Sequence, residues 1–204
     1  MRPLLPVLLL LPALTACGLA DDHGREAERD VFITFTDARF GEFCLRECDL
    51  DGDGRVSRYE AQRVLALDCS GCGIRSLWDL REFTRLQRLD CSANELTQLD
   101  LSVCESLAEV DCSRNGLTWL DAGGLRSLTA LDCSENALAG LDLRGDVSLV
   151  RFDCRGNRLA GSLDLSGCSA MLRADVRENP DLTTVYCRAS QSVLCDGGAE
   201  LVER

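Results

Sequence analysis

The stretch LQRLDCSANELTQLDLS, residues 86–102, decides the fold, because it returns with few changes as LTALDCSENALAGLDLR at 128–144. Its LDCS fragment also stands at 67–70, with VDCS at 110–113 and FDCR at 152–155. Aligning the chain on these pieces gives a column of asparagines, Asn94, Asn115, Asn136, Asn157 and Asn179, separated by 21, 21, 21 and 22 residues. Cys72 takes that place one turn earlier. A fixed period of this length marks a solenoid, in which each turn buries its apolar faces against its neighbours. Strand alternation sends Leu89 and Cys91 inward and Arg88, Asp90 and Ser92 outward. Cys69, Cys91, Cys112, Cys133 and Cys154 therefore form one buried column, continued by Val176, and Leu101, Ala122, Leu143, Leu165 and Cys187 form a second.

The repeat resembles L-x-x-L-x-L-x-x-N/C-x-L, the pattern of leucine-rich repeats, over residues 67–187 and about six turns. The resemblance implies an α/β repeat: a short leucine-rich-repeat solenoid with a parallel β-sheet, capped by an N-terminal helix–loop–helix. Even cysteine spacing then follows from turn length. Rungs ~4.8 Å apart are close enough for disulfides, but neighbouring parallel strands aim their Cβ vectors side by side. One thiol per turn on a straight line does not converge on a zinc ion either. A buried free cysteine packs as a small hydrophobe, and Cys104 and Cys168 precede the next turn's first apolar residue, another buried place. Cys44–Cys48 and Cys187–Cys195 remain open as disulfides, which exported compartments permit.

The chain begins MRPLLPVLLLLPALTAC, one positive residue ahead of an apolar run from Leu4 to Leu14. The run is too short to span a bilayer and has the form of a secretory signal. Residues 14–17, LTAC, resemble the bacterial lipoprotein signal. That resemblance implies that residues 1–16 are removed, that Cys17 carries the lipid, and that residues 17–30 form a tether; Gly18 points to the outer membrane, on its periplasmic or exposed side. Two or three acyl chains hold a protein firmly to a membrane. The formal charge of −12 excludes a basic face for nucleic acid or anionic lipid.

Residues 49–60, DLDGDGRVSRYE, fit the calcium-loop pattern D-x-[DN]-x-[DN]-G-x5-E without a mismatch. Asp49, Asp51 and Asp53 supply hard oxygens, Gly54 the sharp turn, Arg55 its carbonyl, Ser57 a direct or water-borne contact, and Glu60 a closing bidentate carboxylate. TDARFGEFCLREC (36–48) reads as an entering helix with Thr36 or Asp37 as cap and Phe40, Phe43, Cys44 and Cys48 inward. SRYEAQRVL (57–65) begins the exiting helix. A lone loop of this kind belongs with weak sites, Kd ~10⁻⁴–10⁻³ M.

This segment, running through RFGEFCLRECDLDGDGRVSRYEAQRVLALDCSGCGIRSL into the repeats, resembles bacterial leucine-rich-repeat lipoproteins with an N-terminal EF-hand-like calcium loop. The resemblance covers residues 30–187 and implies a calcium-binding cap over 31–66, repeats over 67–187 and a cap or tail over 188–204. It departs at Cys44 and Cys48 and in turns 120–127 and 141–148, where part of the pattern is lost.

Two outward features are candidate partner contacts. Trp119 occupies a position that other turns fill with Gln98, Gly140 or Ser162, and Asp90, Asp111 and Asp132 belong to a column running from Asp68 to Asp175. A second outward set, Asp100, Asp121, Asp142 and Asp164, makes Asp a habit of the repeat, so a hydrogen-bonded ladder is the simpler reading of both. Trp78, in the irregular first turn, is expected in the core. The single histidine, His23, lies in the tether, so a Ser/His or Cys/His catalytic set cannot form in the fold, and no enzyme is expected. The sequence therefore reads as an envelope binding protein for a protein or glycan partner, with a structural spacer and a calcium-dependent adhesin as alternatives.

Overall fold

The structure, a computed structural model, describes residues 31–204 apart from 144 and 146. Its strands, in chain order, are β1 (Ala66–Asp68), β2 (Arg88–Asp90), β3 (Gln98–Asp100), β4 (Glu109–Asp111), β5 (Trp119–Asp121), β6 (Ala130–Asp132), β7 (Arg151–Asp153), β8 (Gly161–Asp164), β9 (Arg173–Asp175), β10 (Leu182–Cys187), β11 (Ser192–Leu194) and β12 (Glu200–Glu203). A parallel sheet runs β1-β2-β4-β6-β7-β9-β11, one strand per turn. On the second flank, β3 pairs with β5, and β8, β10 and β12 form a further parallel set. The two sets are separated at residues 140–143, where Gly140 replaces the strand-forming residue of other turns and no strand forms. The fold is the expected leucine-rich-repeat solenoid, with strands rather than helices on its second flank.

Register is strict. Leu67, Leu89, Val110, Leu131, Phe152, Ala174 and Val193 are successive partners across the large sheet, as are the aspartates from Asp68 to Asp175. A slip of one residue would turn the apolar set to solvent. Cys69, Cys91, Cys112, Cys133 and Cys154 follow directly and are fully buried. Their amides continue the ladder, each donating to an aspartate carbonyl one turn on at 2.8–2.9 Å.

The asparagine column explains how the turns stay in step. Asn157 Nδ2 donates to the Cys133, Cys154 and Arg155 carbonyls at 3.0, 3.0 and 3.4 Å, and its Oδ1 accepts from Leu138 N at 2.9 Å. Asn94, Asn115, Asn136 and Asn179 repeat this set, each reaching its own turn and the one before. The residue before each of these asparagines is left-handed: Ala93, Arg114, Glu135, Gly156 and Glu178 all have φ between 54° and 66°. Four of the five are not glycine, a backbone cost of ~1–2 kcal/mol each that the asparagine bonds must offset.

The N-terminal segment packs on the first turn. Helix α1 (Ala38–Glu47) is capped by Asp37, whose Oδ1 accepts from Arg39 N and Phe40 N. Its Oδ2 accepts from Arg75 N at 2.8 Å and Ser76 N at 3.1 Å, so one carboxylate caps the helix and ties it to the solenoid. Burial pushes Asp37 up, but the four backbone N–H groups outweigh it and hold its carboxyl below the usual range. Phe40, Phe43, Cys44 and Cys48 are buried as expected, with Phe40 5.9 Å from Phe83 of the first turn. The exiting helix, α2 (Arg58–Ala61), is shorter than SRYEAQRVL promised, because Gln62 ends it and the chain must enter β1 within a few residues.

At the other end, residues 188–204 add a strand to each flank, β11 beside β9 and β12 beside β10. Gln191 takes the asparagine's part there: Nε2 donates to the Leu165 and Cys168 carbonyls and Oε1 accepts from Arg188 N. Every cysteine among the described residues is a free thiol, including Cys44, Cys48, Cys187 and Cys195, so neither pair left open as a disulfide is bonded.

Replacing Asn157 by Ala strands the carbonyls of two turns and one amide in the interior. Chemical denaturation should show a loss of about 2–4 kcal/mol, and a loss below ~0.5 kcal/mol would refute the linking role.

Candidate functional site

The 49–60 loop brings three of its six expected ligand residues together. Carboxylate oxygens of Asp49, Asp51 and Asp53 lie within 4.8 Å of one another. The loop backbone folds around them: Gly52 N and Gly54 N donate to Asp49, Asp53 N to Asp51, and Arg55 N to Asp53, at 2.8–3.1 Å. Gly52 and Gly54 hold φ of 74° and 82°, which lets the chain turn this tightly. None of the ion pairs among the described residues reaches these three aspartates. The nearby Arg55 guanidinium lies over the Phe32 ring instead, at 4.7 Å.

Glu60 and Ser57 stand behind that cluster. Glu60 Oε1 accepts from Leu50 N at 2.7 Å, while Oε2 accepts from Ser57 N and Oγ at 2.8 Å each. Ser57 Oγ also accepts from Glu60 N, which completes a capping box at the start of α2. Three of the roughly four lone-pair sites of the Glu60 carboxylate are thus taken. The loop is braced by the chain before α1: Ile33 N donates to the Val56 carbonyl and Arg58 N to the Val31 carbonyl, around a bridge of Phe32 with Ser57. A cluster of hard oxygens with no guanidinium or ammonium partner is a donor set that fits a calcium-sized cation.

The aspartate columns are built into the turns. Asp90 Oδ1 accepts from Ser92 N at 3.0 Å and Oγ at 2.6 Å, Asp132 from Ser134 N at 2.9 Å and Oγ at 2.6 Å, and Asp111 from Ser113 N at 2.9 Å. Toward the C-terminal end arginine replaces serine, and Arg177 grips Asp175 through Nε at 2.9 Å and Nη2 at 2.5 Å. Asp90, Asp111 and Asp132 are half-buried and locally bonded, so their first work is to shape the turn. Burial raises the Asp111 carboxyl; the Ser113 bonds oppose this, and the flanking Asp132 and Asp90 add to it. Burial raises Asp153 likewise.

Trp119 is exposed at 47%, as expected, but Trp78 is exposed at 59% rather than in the core. The reason is positional. Counted from Cys72, Asn94 and Asn115, Ser76, Gln98 and Trp119 share one outward place, and Trp78, Asp100 and Asp121 share the next. Trp78 therefore replaces an outward aspartate, and its ring carries the Arg81 guanidinium at 3.6 Å. Sequence reasoning missed it because the first turn runs 22 residues and a 3₁₀ turn, Trp78–Glu82, sits in place of a strand. Both indoles line one crevice of about 150 Å³ with Ser76, Arg81, Gln98, Asp100 and Val103. Cys17 lies outside the described residues.

Neither a protein-family model nor a curated protein sequence matches the chain. Among solved structures it is similar to the functional domain of InlJ from Listeria monocytogenes, which includes a cysteine ladder, with TM-score 0.68 and 27% identity. That match covers 78% of this chain and 37% of the InlJ chain, so this chain spans little more than a third of it. It is also similar to the internalin InlF from Listeria monocytogenes str. 4b F2365, with TM-score 0.50, 13% identity, and 83% and 72% of the two chains covered. The leucine-rich-repeat domain of APL1B aligns at TM-score 0.44 and 24% identity, over 63% and 45% of the two chains. The first two likenesses agree on a leucine-rich-repeat solenoid, and the cysteine ladder described for the InlJ domain matches the feature that first defined this chain, a column of cysteines.

The raised Asp111 has a consequence for stability. Its folded carboxyl holds a proton more tightly than the unfolded one, so its charge destabilises the fold at neutral pH and the penalty is relieved as pH falls through the raised pKa toward the unfolded value. Asp111→Asn keeps the acceptor for Ser113 N and removes the charge. It should melt a few degrees higher than the parent at pH 7, with the difference closing toward pH ~4. An equal difference at both pH values would contradict this electrostatic account.

Proposed function

We propose that this protein is a cell-envelope binding protein that holds a protein or glycan partner on the outer surface of a rigid leucine-rich-repeat solenoid. The observation that carries the reading is the crevice lined by Trp78 and Trp119. Two exposed indoles two turns apart on a stiff scaffold are the residue type and the setting in which binding energy concentrates. The likeness to the InlJ domain and to an internalin supports a binding scaffold over a catalyst. The LTAC motif supports attachment through lipid on Cys17, hence a place in the envelope and, with Gly18, at the outer membrane. The charge of −12 argues against nucleic acid as the partner.

In this reading the 49–60 loop holds one structural calcium ion. Asp49, Asp51 and Asp53 would hold it, with the Arg55 carbonyl and the remaining capacity of Glu60, and Ser57 acts through the capping box. The ion, with its double charge, would offset most of the repulsion among three carboxylates that otherwise face one another. At a Kd of ~10⁻⁴–10⁻³ M, ~1 mM calcium stabilises the fold by about 0.4–1.4 kcal/mol, RT ln(1 + [L]/Kd).

Two outcomes are expected. Calorimetric titration should give one calcium per chain with a raised melting temperature, and Asp49→Asn with Asp51→Asn should remove both; no heat at millimolar calcium would reduce the loop to a turn. Immobilised protein should capture cell-surface material, and Trp78→Ala with Trp119→Ala should lower that capture about tenfold or more without shifting the melting temperature. Capture indifferent to both tryptophans would favour a spacer that binds nothing at this face.

A further inference from the structure

The crevice has a composition that narrows the ligand. Its apolar part is the two indoles with Leu77, Leu99 and Val103, the last 40% exposed. Its polar part is planar groups with open hydrogen-bonding capacity. Gln98 is exposed, and its amide has no partner among the described residues. Asp100 uses Oδ1 for Ser102 N and Oγ, which leaves Oδ2 without a partner among the described residues. Ser76 Oγ accepts from Trp78 N at 3.2 Å and keeps its own proton to give. Arg81 is fixed by Nε donating to the Trp78 carbonyl at 3.1 Å, so its outer nitrogens are held beside the indole.

Arg81 and Asp100 cancel in charge, so the crevice is locally neutral although the chain is acidic. An anionic polymer would meet the −12 of the whole molecule, and a cation would find the Trp78 ring already in contact with Arg81. The volume, about 150 Å³, is half or less of an ordinary small-molecule site and admits one ring. A ligand suited to it has apolar faces to lie on indole and a rim of groups that both donate and accept. A hydrocarbon side chain would leave Gln98 and Asp100 unused, and a pyranose uses both.

We propose that the Trp78–Trp119 crevice binds one neutral pyranose unit of a glycan, its C–H face on the Trp119 indole, since Arg81 covers a face of Trp78, and its hydroxyls on Gln98, Asp100 and Arg81. This rests on the reading of the crevice as the binding surface and names the class of ligand. Proteins that carry no sugar are the competing class, and the test separates them.

The chain holds two tryptophans, and both are in the crevice, so intrinsic fluorescence reports on this site alone. Full-length protein is titrated with cellohexaose and, separately, chitohexaose, with polygalacturonate as the anionic control. A saturable shift with a neutral hexaose is expected, weakened about tenfold, the worth of roughly one hydrogen bond, in Gln98→Ala, which keeps both fluorophores. Neutral hexaoses that leave the fluorescence unchanged to millimolar concentration would overturn the proposal, as would a shift that Gln98→Ala does not weaken or that polygalacturonate alone produces. Capture of cell-surface protein is then measured before and after enzymatic deglycosylation. Tryptophan-dependent capture that survives deglycosylation removes the sugar and keeps the binding surface; loss of tryptophan dependence in every assay removes both.

Discussion

The asparagine amide is the constraint on which the solenoid depends. A solenoid turn has no partner but the turns beside it, so the loops between strands must satisfy their backbone groups across that boundary. One amide does this at each step: its two N–H groups reach carbonyls of two successive turns, and its oxygen receives an amide of the earlier one. Successive asparagines stand 21 or 22 residues apart, so the same bond set recurs once per turn. The left-handed residue before it, tolerated even as alanine, arginine or glutamate, shows how firmly the bond set dictates the backbone.

With the loops fixed, the sheet register follows, and the register places thiols above one another in a column where Leu would crowd. Outward positions inherit the same order. Aspartates stack because each accepts from the serine or arginine two residues on; burial, and to a lesser degree their mutual repulsion, raises the carboxyls of Asp111 and Asp153. Where the repeat is interrupted the surface becomes individual. The first turn, one residue longer than most and helical where others are extended, turns Trp78 outward beside Gln98 and Trp119, and thereby makes the crevice.

The cysteine and asparagine columns, the inward faces and the N-terminal cap were legible because each repeats a physical demand at a fixed interval. Three features were not. Trp78 was misread because hydrophobicity outvoted alignment in an irregular turn, although counting from Cys72 places it in the aspartate column. The strands at 192–194 and 200–203 were missed because Gln191 does the asparagine's work with a longer side chain, so the pattern ends before the structure does. The loop motif carries the aspartate cluster directly, but that Glu60 would also be engaged by Leu50 and Ser57 follows from the capping box, which sequence spacing permits without requiring.

The bridge between Phe32 and Ser57, with its bonds from Ile33 to Val56 and from Arg58 to Val31, has a mechanical meaning. Tension arriving from the chain ahead of Val31 meets these contacts first, before it can reach the Asp37 tie or any turn of the solenoid. The aspartate loop is therefore the first link in series with the load. Anything that stiffens this loop raises the force at which the molecule starts to unravel, while the repeats, lying beyond the Asp37 tie, keep their shape.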